Sequence, residues 1–376
     1  MSIGFSTNGR VRPRGPVRCW SIVGLVLVLF LVAAACGDDD DDTAAGAGAA
    51  GSEDDGVAAD GEPGGSLRLG YFPNVTHAPA IIGVEDGILE ESLGAAELEL
   101  STFPTGTEAI EALLSDSIDA TFIGPNPAIN GFAQSNGEAV RIVAGTTSGG
   151  AALVVREGLD TPEDLAGATL STPSLGNTQD VALRAWLAEE GYETDTSGGG
   201  DVQILNQENA DTLTAFRNGD IDGGWVPEPW STRLVLEGGG HVLVDEAELW
   251  PDGQLVTTHL IVRTDYLEER PANIQALLAG LLDAIDVAND DVAAAQTTTN
   301  AGIEEITDRP LADETIQGAW ENLTFTPDPI ASSLEESKDD AVEVGLLDDV
   351  DLGGIYDLTL LNELLTERGE QAVEGL

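Results

Sequence analysis

The sequence predicts an α/β protein with largely parallel sheets, folded as two lobes that face each other across a cleft. Three observations carry this. β-type runs alternate with helical patterns along most of the chain. Three of the first four strands end in Gly, Pro, Asn or Thr and turn directly into a helix. One short motif following a helix recurs in both halves, as Ser117-Ile118-Asp119-Ala120 and Asp220-Ile221-Asp222-Gly223. Ligands of open α/β sheets collect at the carboxyl ends of the strands. Helix N-termini placed there offer free N–H groups and the positive end of a dipole.

Residues 1–35 read as a targeting segment. Arg10, Arg12, Arg14 and Arg18 form a basic stretch, residues 20–35 are apolar and uncharged, and Ala33-Ala34-Ala35 precede Cys36. That ending resembles the lipobox of bacterial lipoproteins, with Ala33 where a leucine is usual. Cys36 is therefore the expected lipidation site, and a plain signal peptide or an uncleaved anchor are the alternatives. Residues 36–66 carry five consecutive aspartates, Asp38 to Asp42, and no aromatic side chain, which predicts a disordered acidic tether. Cys19 lies in the leader, so the folded part offers no disulfide, thiol nucleophile or thiolate metal site.

The first lobe opens with a strand at 67–72 (LRLGYF), followed by Pro73-Asn74-Val75-Thr76 and a helical run from about 77 to 92. A strand at 97–103 ends at Pro104, and Thr105 with Glu108 has the spacing of a capping box. A strand at 118–123 stops at Gly124-Pro125-Asn126-Pro127, with proline at the start of the next helix. The strand at 141–147 ends in Ser148-Gly149-Gly150. A second set begins at 151–156. It continues through 168–171, whose Pro-Ser-Leu-Gly-Asn-Thr loop opens a helix with apolar positions Val181, Ala182, Ala185 and Trp186. Asn177 or Thr178 can cap that helix, and Gly176 permits a close approach to a ligand. Strands at 202–205, 221–225, 242–244 and 255–262 follow, with a helix near 211–218 closed by Gly219. The remainder reads as mostly helical. Ile274, Leu277, Leu278, Leu281, Leu282 and Ile285 repeat at helical spacing, the signature of core packing.

Charge excludes one class of function. Four arginines and ten acidic residues precede Leu67, leaving 11 basic and 58 acidic side chains of the chain's 15 and 68. Nucleic-acid binding needs a basic surface, so it is excluded. The acidic, lysine-poor surface reads as adaptation to high salt. His77, His241 and His259 show no metal-ligand spacing, so no metal and no cofactor are expected.

Five segments, LRLGYFPNVTHAPAIIG, FPTGTEAIEALLSDSIDATFIGPNPAI, TSGGAALVVR, LSTPSLGNTQDVALRAWL and GGWVPEPWSTRLV, together resemble the solute-binding proteins of nitrate, taurine and aliphatic-sulfonate ABC importers. The resemblance runs from about Leu67 to Tyr266. It implies a type II periplasmic-binding-protein fold with two crossover strands, lobe 1 at 67–149 and 257–376 and lobe 2 at 150–256. It further implies a monomer on the extracytoplasmic face of the membrane or in the periplasm. Such a protein captures a small anionic or zwitterionic solute and delivers it to a membrane permease.

Carried over residue by residue, the resemblance implies a pocket of Asn74 and Thr76 after the first strand, Thr105 and Gly106, Gly124 and Asn126, and Thr147, Ser148 and Gly149 at the first crossover. Gly176, Asn177, Thr178 and Gln179 form the second-lobe anion seat. Glu228 takes the place of the acidic residue in a Trp-Asp-Pro pattern and there would meet a ligand amine, with Trp230 beside it. Trp225 and Trp230 are alternatively hinge packing, and Arg184 is expected in a lobe-surface ion pair. A thiamin-pyrimidine-synthase-like enzyme shares the fold. It relies on lysine, histidine and cysteines, whereas Lys338 is the only lysine in this chain. A receptor that signals instead of feeding a transporter is the third reading.

Overall fold

The computed structural model describes residues 61–376. The expected leader, Cys36 and the acid run lie outside the described residues; Ser66, expected to end the disordered tether, instead opens β1 opposite Glu97. In chain order the first part comprises β1 (Ser66–Tyr71), α1 (Ala78–Glu85), α2 (Ile88–Leu93), β2 (Glu97–Thr102), α3 (Gly106–Leu114), β3 (Ala120–Ile123), α4 (Pro125–Gln134) and β4 (Val140–Gly149). The second part holds β5 (Ala151–Val155), β6 (Thr169–Thr172), α5 (Thr178–Glu189), β7 (Gln203–Asn206), α6 (Asn209–Asn218), β8 (Gly223–Pro227), α7 (Trp230–Leu236) and β9 (His241–Asp245). The chain then returns through β10 (Val256–Arg263), α8 (Thr264–Glu269), α9 (Pro271–Asp290), α10 (Val292–Thr307), α11 (Asp313–Glu321), β11 (Leu323–Phe325), α12 (Ala331–Glu343) and α13 (Thr359–Arg368).

Two sheets result. The first runs β11-β4-β10-β3-β1-β2 and the second β7-β6-β8-β5-β9. Within each, three strands are parallel (β2-β1-β3 and β7-β6-β8), and the neighbour of the third is antiparallel (β10 and β5). The two sheets are thus one pattern used twice, joined at Gly150 and by the return from β9 to β10.

The recurring Ile-Asp motif sets the register in both copies. Asp119 accepts the N–H of Arg68 at the start of β1 (2.8 Å) and pairs with the Arg68 guanidinium. Asp222 accepts the N–H of Thr169 at the start of β6 (2.8 Å) and pairs with Arg156 (3.1 Å). In each case a carboxylate ties the entry of the third strand to its parallel neighbour.

The helical run expected at 77–92 is broken into a 3₁₀ turn at Val75–His77, α1 and α2. Gly87 adopts φ 71°, a left-handed conformation that ends one helix and starts the next at another angle. The apolar positions of α9, from Ile274 to Ile285, bury into one core with Leu67, Leu69, Ile81 and Phe122. Smaller clusters fill the second part, where Trp225 packs on Trp186 with ring centroids 6.0 Å apart. β11 is a three-residue strand inside the part expected to be helical. Among the described residues no helix is long and apolar enough to cross a membrane.

The Trp225 indole donates to Glu246 Oε2 at 2.6 Å, and burial pushes this carboxyl up to about 7. A carboxyl raised in the folded state stabilises it at low pH, and that contribution is lost as pH rises through the folded value. Relative to Glu246→Gln, the wild-type protein should therefore lose about 1 kcal/mol of stability between pH 6 and pH 8. Urea titrations of both proteins at the two pH values test this; equal pH dependence would contradict it.

Candidate functional site

β6 ends at Thr172, and residues 173–177 turn straight into α5. Asn177 caps the helix, its Oδ1 accepting the Asp180 N–H at 3.0 Å. The Asp180 carboxylate, fully buried, draws the loop back over the first turn. It accepts from Thr172 Oγ1 (2.8 Å), Gly176 N–H (2.9 Å), Asn206 Nδ2 (2.8 Å) and Arg184 Nε (3.0 Å). Gly176 meets this bond at φ 73°, where a side chain would be strained. Arg184 is 1% exposed and also donates to the Asp195 carbonyl (2.8 Å), so its ion pair is buried and not on the surface as expected. The reason is the i,i+4 spacing to Asp180, which points the guanidinium back along the helix under the loop. With Asp180 and Asn177 so engaged, the N–H groups of Thr178 and Gln179 find no acceptor among the described residues.

The first sheet supplies the facing wall. Thr105 caps α3, its Oγ1 accepting the Glu108 N–H at 3.4 Å, and leaves the N–H groups of Gly106 and Thr107 without a partner among the described residues. α4 begins Pro125-Asn126-Pro127, so Asn126 alone offers an N–H in its first three positions. Gly124, at the β3–α4 turn, comes so near α5 that a Cβ there would stand 2.6 Å from Thr178 Oγ1. That hydroxyl is buried and has no partner among the described residues.

Between the two walls lies a cavity of about 40 Å³. It brings together seven of the expected residues: Asn74 and Thr76 after β1, Gly106, Gly124, and Asn177, Thr178 and Gln179 at α5. The halves also touch around it, through Thr107 Oγ1 to Ser174 Oγ (3.0 Å) and Asn130 Nδ2 to the Gly176 carbonyl (3.3 Å).

His77, noted in the sequence only for its lack of metal-ligand spacing, lines this cavity. The Phe72 N–H donates to His77 Nδ1 (3.3 Å), and the imidazole stacks on the Phe72 ring at 4.4 Å. Burial pushes its pKa down to about 3, so the ring is neutral and carries its proton on Nε2. Thr257 and Thr258 of β10 were also missed. Their hydroxyls donate to the carbonyls of Gly149 and Thr76. Only their place on the returning strand could have pointed to them. No lining side chain carries a formal charge.

The other expected residues stand elsewhere. Thr105 is the α3 cap described above, and the Gly176 N–H is held by Asp180. Asn126 turns away to donate to the Ser337 carbonyl of α12 (3.0 Å). Thr147 Oγ1 donates to the Thr76 carbonyl (2.7 Å), while Ser148 and Gly149 pair with β11. Glu228 faces a separate cavity of about 320 Å³. Its carboxylate accepts from Thr232 Oγ1 (2.9 Å), Thr232 N–H (3.2 Å) and Asn322 Nδ2 (2.7 Å), and burial raises its pKa. Both oxygens are thus engaged in capping α7 and gripping the end of α11. Trp230 reaches the small cavity's wall only through Asn74, donating to its Oδ1 at 2.9 Å. Among the described residues no group of three or more His, Cys, Asp or Glu side chains is placed to hold a metal ion.

A family model, that of the NMT1-like family, matches residues 60–301, well over half of the chain. The chain belongs to the NMT1-like family. Among curated relatives it is 27% identical over 238 residues to the taurine-binding periplasmic protein of Escherichia coli, covering 62% of this chain and 71% of that protein. It is 26% identical over 245 residues to the bicarbonate-binding protein CmpA of Synechococcus, covering 58% of this chain. It thereby spans 53% of that relative's length. Two solved structures share the two-sheet periplasmic-binding-protein fold of this NMT1-like chain. The alkanesulfonate-binding protein SsuA of Xanthomonas axonopodis, bound to MOPS, has TM-score 0.64 and 20% identity, covering 77% of this chain and 96% of that one. The nitrate-binding protein NrtA of Synechocystis has TM-score 0.64 and 17% identity, covering 80% and 88%.

Asp180 is the group on which the second-sheet wall depends. Asp180→Asn leaves the buried Arg184 guanidinium without its counter-charge, and should cost about 3–5 kcal/mol in urea unfolding. A loss below 1 kcal/mol would show that the loop does not rely on this carboxylate.

Proposed function

We propose that the protein is the solute-binding component of an ABC importer, which takes a small anion into the cavity between its two sheets and hands it to a membrane permease. The carrying observation is the composition of that cavity. Unpartnered N–H groups at the α3 and α5 N-termini face an uncharged polar lining with the buried, unpartnered Thr178 hydroxyl. Anions are held in such places by dipoles and N–H donors, with no lysine or arginine needed. The relatives bear the names of taurine-, bicarbonate-, sulfonate- and nitrate-binding proteins, and these are the ligand classes to try first. The small volume favours the smaller of these, nitrate or a one-carbon anion, over taurine.

On this reading the residues 67–149 and 257–376 act as one lobe and 150–256 as the other, hinged at Gly150 and in the β9–β10 return. The cross-contacts of Thr107 with Ser174 and Asn130 with Gly176 then belong to the closed state. A lipid anchor at Cys36 and the acid tether would hold this domain outside the membrane. An enzymatic reading lacks support in this cavity. Lys338 sits on α12 in ion pairs with Asp339 and Asp349, and the cavity lining contains no cysteine.

Isothermal titration against nitrate, bicarbonate, methanesulfonate and taurine should give one site per chain for at least one of them. No heat for any of the four would overturn the anion class. For nitrate or methanesulfonate, affinity should stay level from pH 5 to pH 8, because His77 remains neutral down to about 3. Tightening on passing below pH 6.5 would mean a protonated imidazole takes part. Thr178→Val should weaken binding by about tenfold yet leave the unliganded protein at least as stable, since it removes a buried hydroxyl with no partner. Equal affinity would take Thr178 out of the site.

A further inference from the structure

Asn74, His77, Asn177 and Gln179 line the small cavity, and each is able to present either a donor or an acceptor. Each is held at its acceptor end by a group able only to donate there. The Trp230 indole N–H donates to Asn74 Oδ1 (2.9 Å). Indole nitrogen cannot accept, so reversing this amide would set two donors against each other. Asn74 therefore keeps its Nδ2 turned away from Trp230. The Phe72 N–H occupies His77 Nδ1, leaving Nε2–H. The Asp180 N–H occupies Asn177 Oδ1, and Asn177 Nδ2 in turn donates to Gln179 Oε1 (3.1 Å), leaving Gln179 Nε2 as a free donor. All four side chains of ambiguous polarity are thus keyed the same way, directly by the Trp230 indole, the Phe72 N–H and the Asp180 N–H, and for Gln179 through Asn177.

Two of these keys are backbone N–H groups, fixed by the fold. The third is a side chain from the other sheet. Trp230 opens α7, while Asn74 follows β1, so this bond is made with the halves together. The Arg233 guanidinium lies 4.6 Å above the Trp230 ring and is itself tied to Glu237 (2.6 Å), which holds the indole in place. Trp230 does not line the cavity and acts only through Asn74.

We propose that Trp230 is a positioning residue that keys the Asn74 amide, so that the closed cavity accepts a fully ionised, acceptor-only oxyanion and rejects a neutral isostere bearing an N–H at that end. This rests on the anion-receptor reading above and adds the source of its selectivity. It separates recognition of charge, supplied by the helix N-termini, from recognition of hydrogen-bond polarity, supplied across the cleft by one indole.

The test is how the ratio of affinities for methanesulfonate and methanesulfonamide changes on substitution. The two are nearly isosteric and differ in net charge and in one acceptor-for-donor exchange, and the charge contribution is common to wild type and variant. The full-length protein should bind the sulfonate and reject the sulfonamide. In Trp230→Phe the ring and its stacking on Arg233 persist but the N–H is gone, so the Asn74 amide turns freely. The sulfonamide-to-sulfonate Kd ratio should then fall by about tenfold, the cost of one opposed donor pair. An unchanged ratio in Trp230→Phe overturns the proposal while leaving the anion-receptor reading intact. Wild-type protein that binds none of nitrate, bicarbonate, methanesulfonate and taurine overturns that reading, and this proposal with it. If Trp230→Phe fails to fold, Asn74→Asp decides. It keeps an acceptor for the indole but turns an oxygen towards the cavity, and should weaken methanesulfonate binding by about 100-fold or more with its melting temperature little changed. Wild-type affinity in Asn74→Asp overturns the proposal.

Discussion

The carboxylate of Asp180 is the point on which the site depends. It is fully buried and takes four donors, one from the end of β6, one from the loop, one from the end of β7 and one from Arg184. A buried charge is tolerated only when it is paired and saturated with hydrogen bonds, and this one is both. By holding the Gly176 N–H it shapes the loop, and by leaving those of Thr178 and Gln179 alone it sets them free for a ligand. Its own N–H fixes Asn177, and through Asn177 the amide of Gln179. One residue thereby folds the wall and decides which polar atoms the wall presents.

The frame around it is duplicated. Asp119 and Asp222 each tie the third parallel strand of their sheet to a backbone N–H of its parallel neighbour. The positive ends of α3 and α5 then converge from opposite sides. This convergence matters because the chain as a whole is strongly acidic, with a net charge of −53. Its long-range field repels anions, so on the proposed reading short-range N–H donors in a small, charge-free cavity would have to outweigh that repulsion. Salt weakens the first and hardly touches the second.

Much of this was legible in the sequence, for identifiable reasons. The alternation of strands and helices, the cap at Asn177 and the small turn at Gly124 are local, so each is written in consecutive residues. The recurring Ile-Asp pair was visible as a repeat, though its work in tying parallel strands needed coordinates. What escaped depends on residues far apart in the chain. Asp180 reads as an ordinary first-turn acid until Asn206 and Thr172 close on it. The family resemblance makes Glu228 a ligand partner, but the end of α11 brings Asn322 to it and turns it to a separate cavity. Nothing in the sequence shows that the His77 ring stacks on Phe72 and lines the cleft.

On the reading proposed above, two mechanisms of recognition would meet in one cavity: backbone dipoles would supply attraction for negative charge, and keyed side chains discrimination by hydrogen-bond polarity. The most direct measurement is a crystal structure of the protein with nitrate or methanesulfonate. The account predicts one anion between the sheets, its oxygens on the N–H groups of Thr178 and Gln179, the N–H of Gly106 and Nε2 of His77, with the Gly176 N–H still held by Asp180. An anion seated beside Glu228 in the larger cavity, or a ligand oxygen bound to Gly176 in place of Asp180, would contradict it.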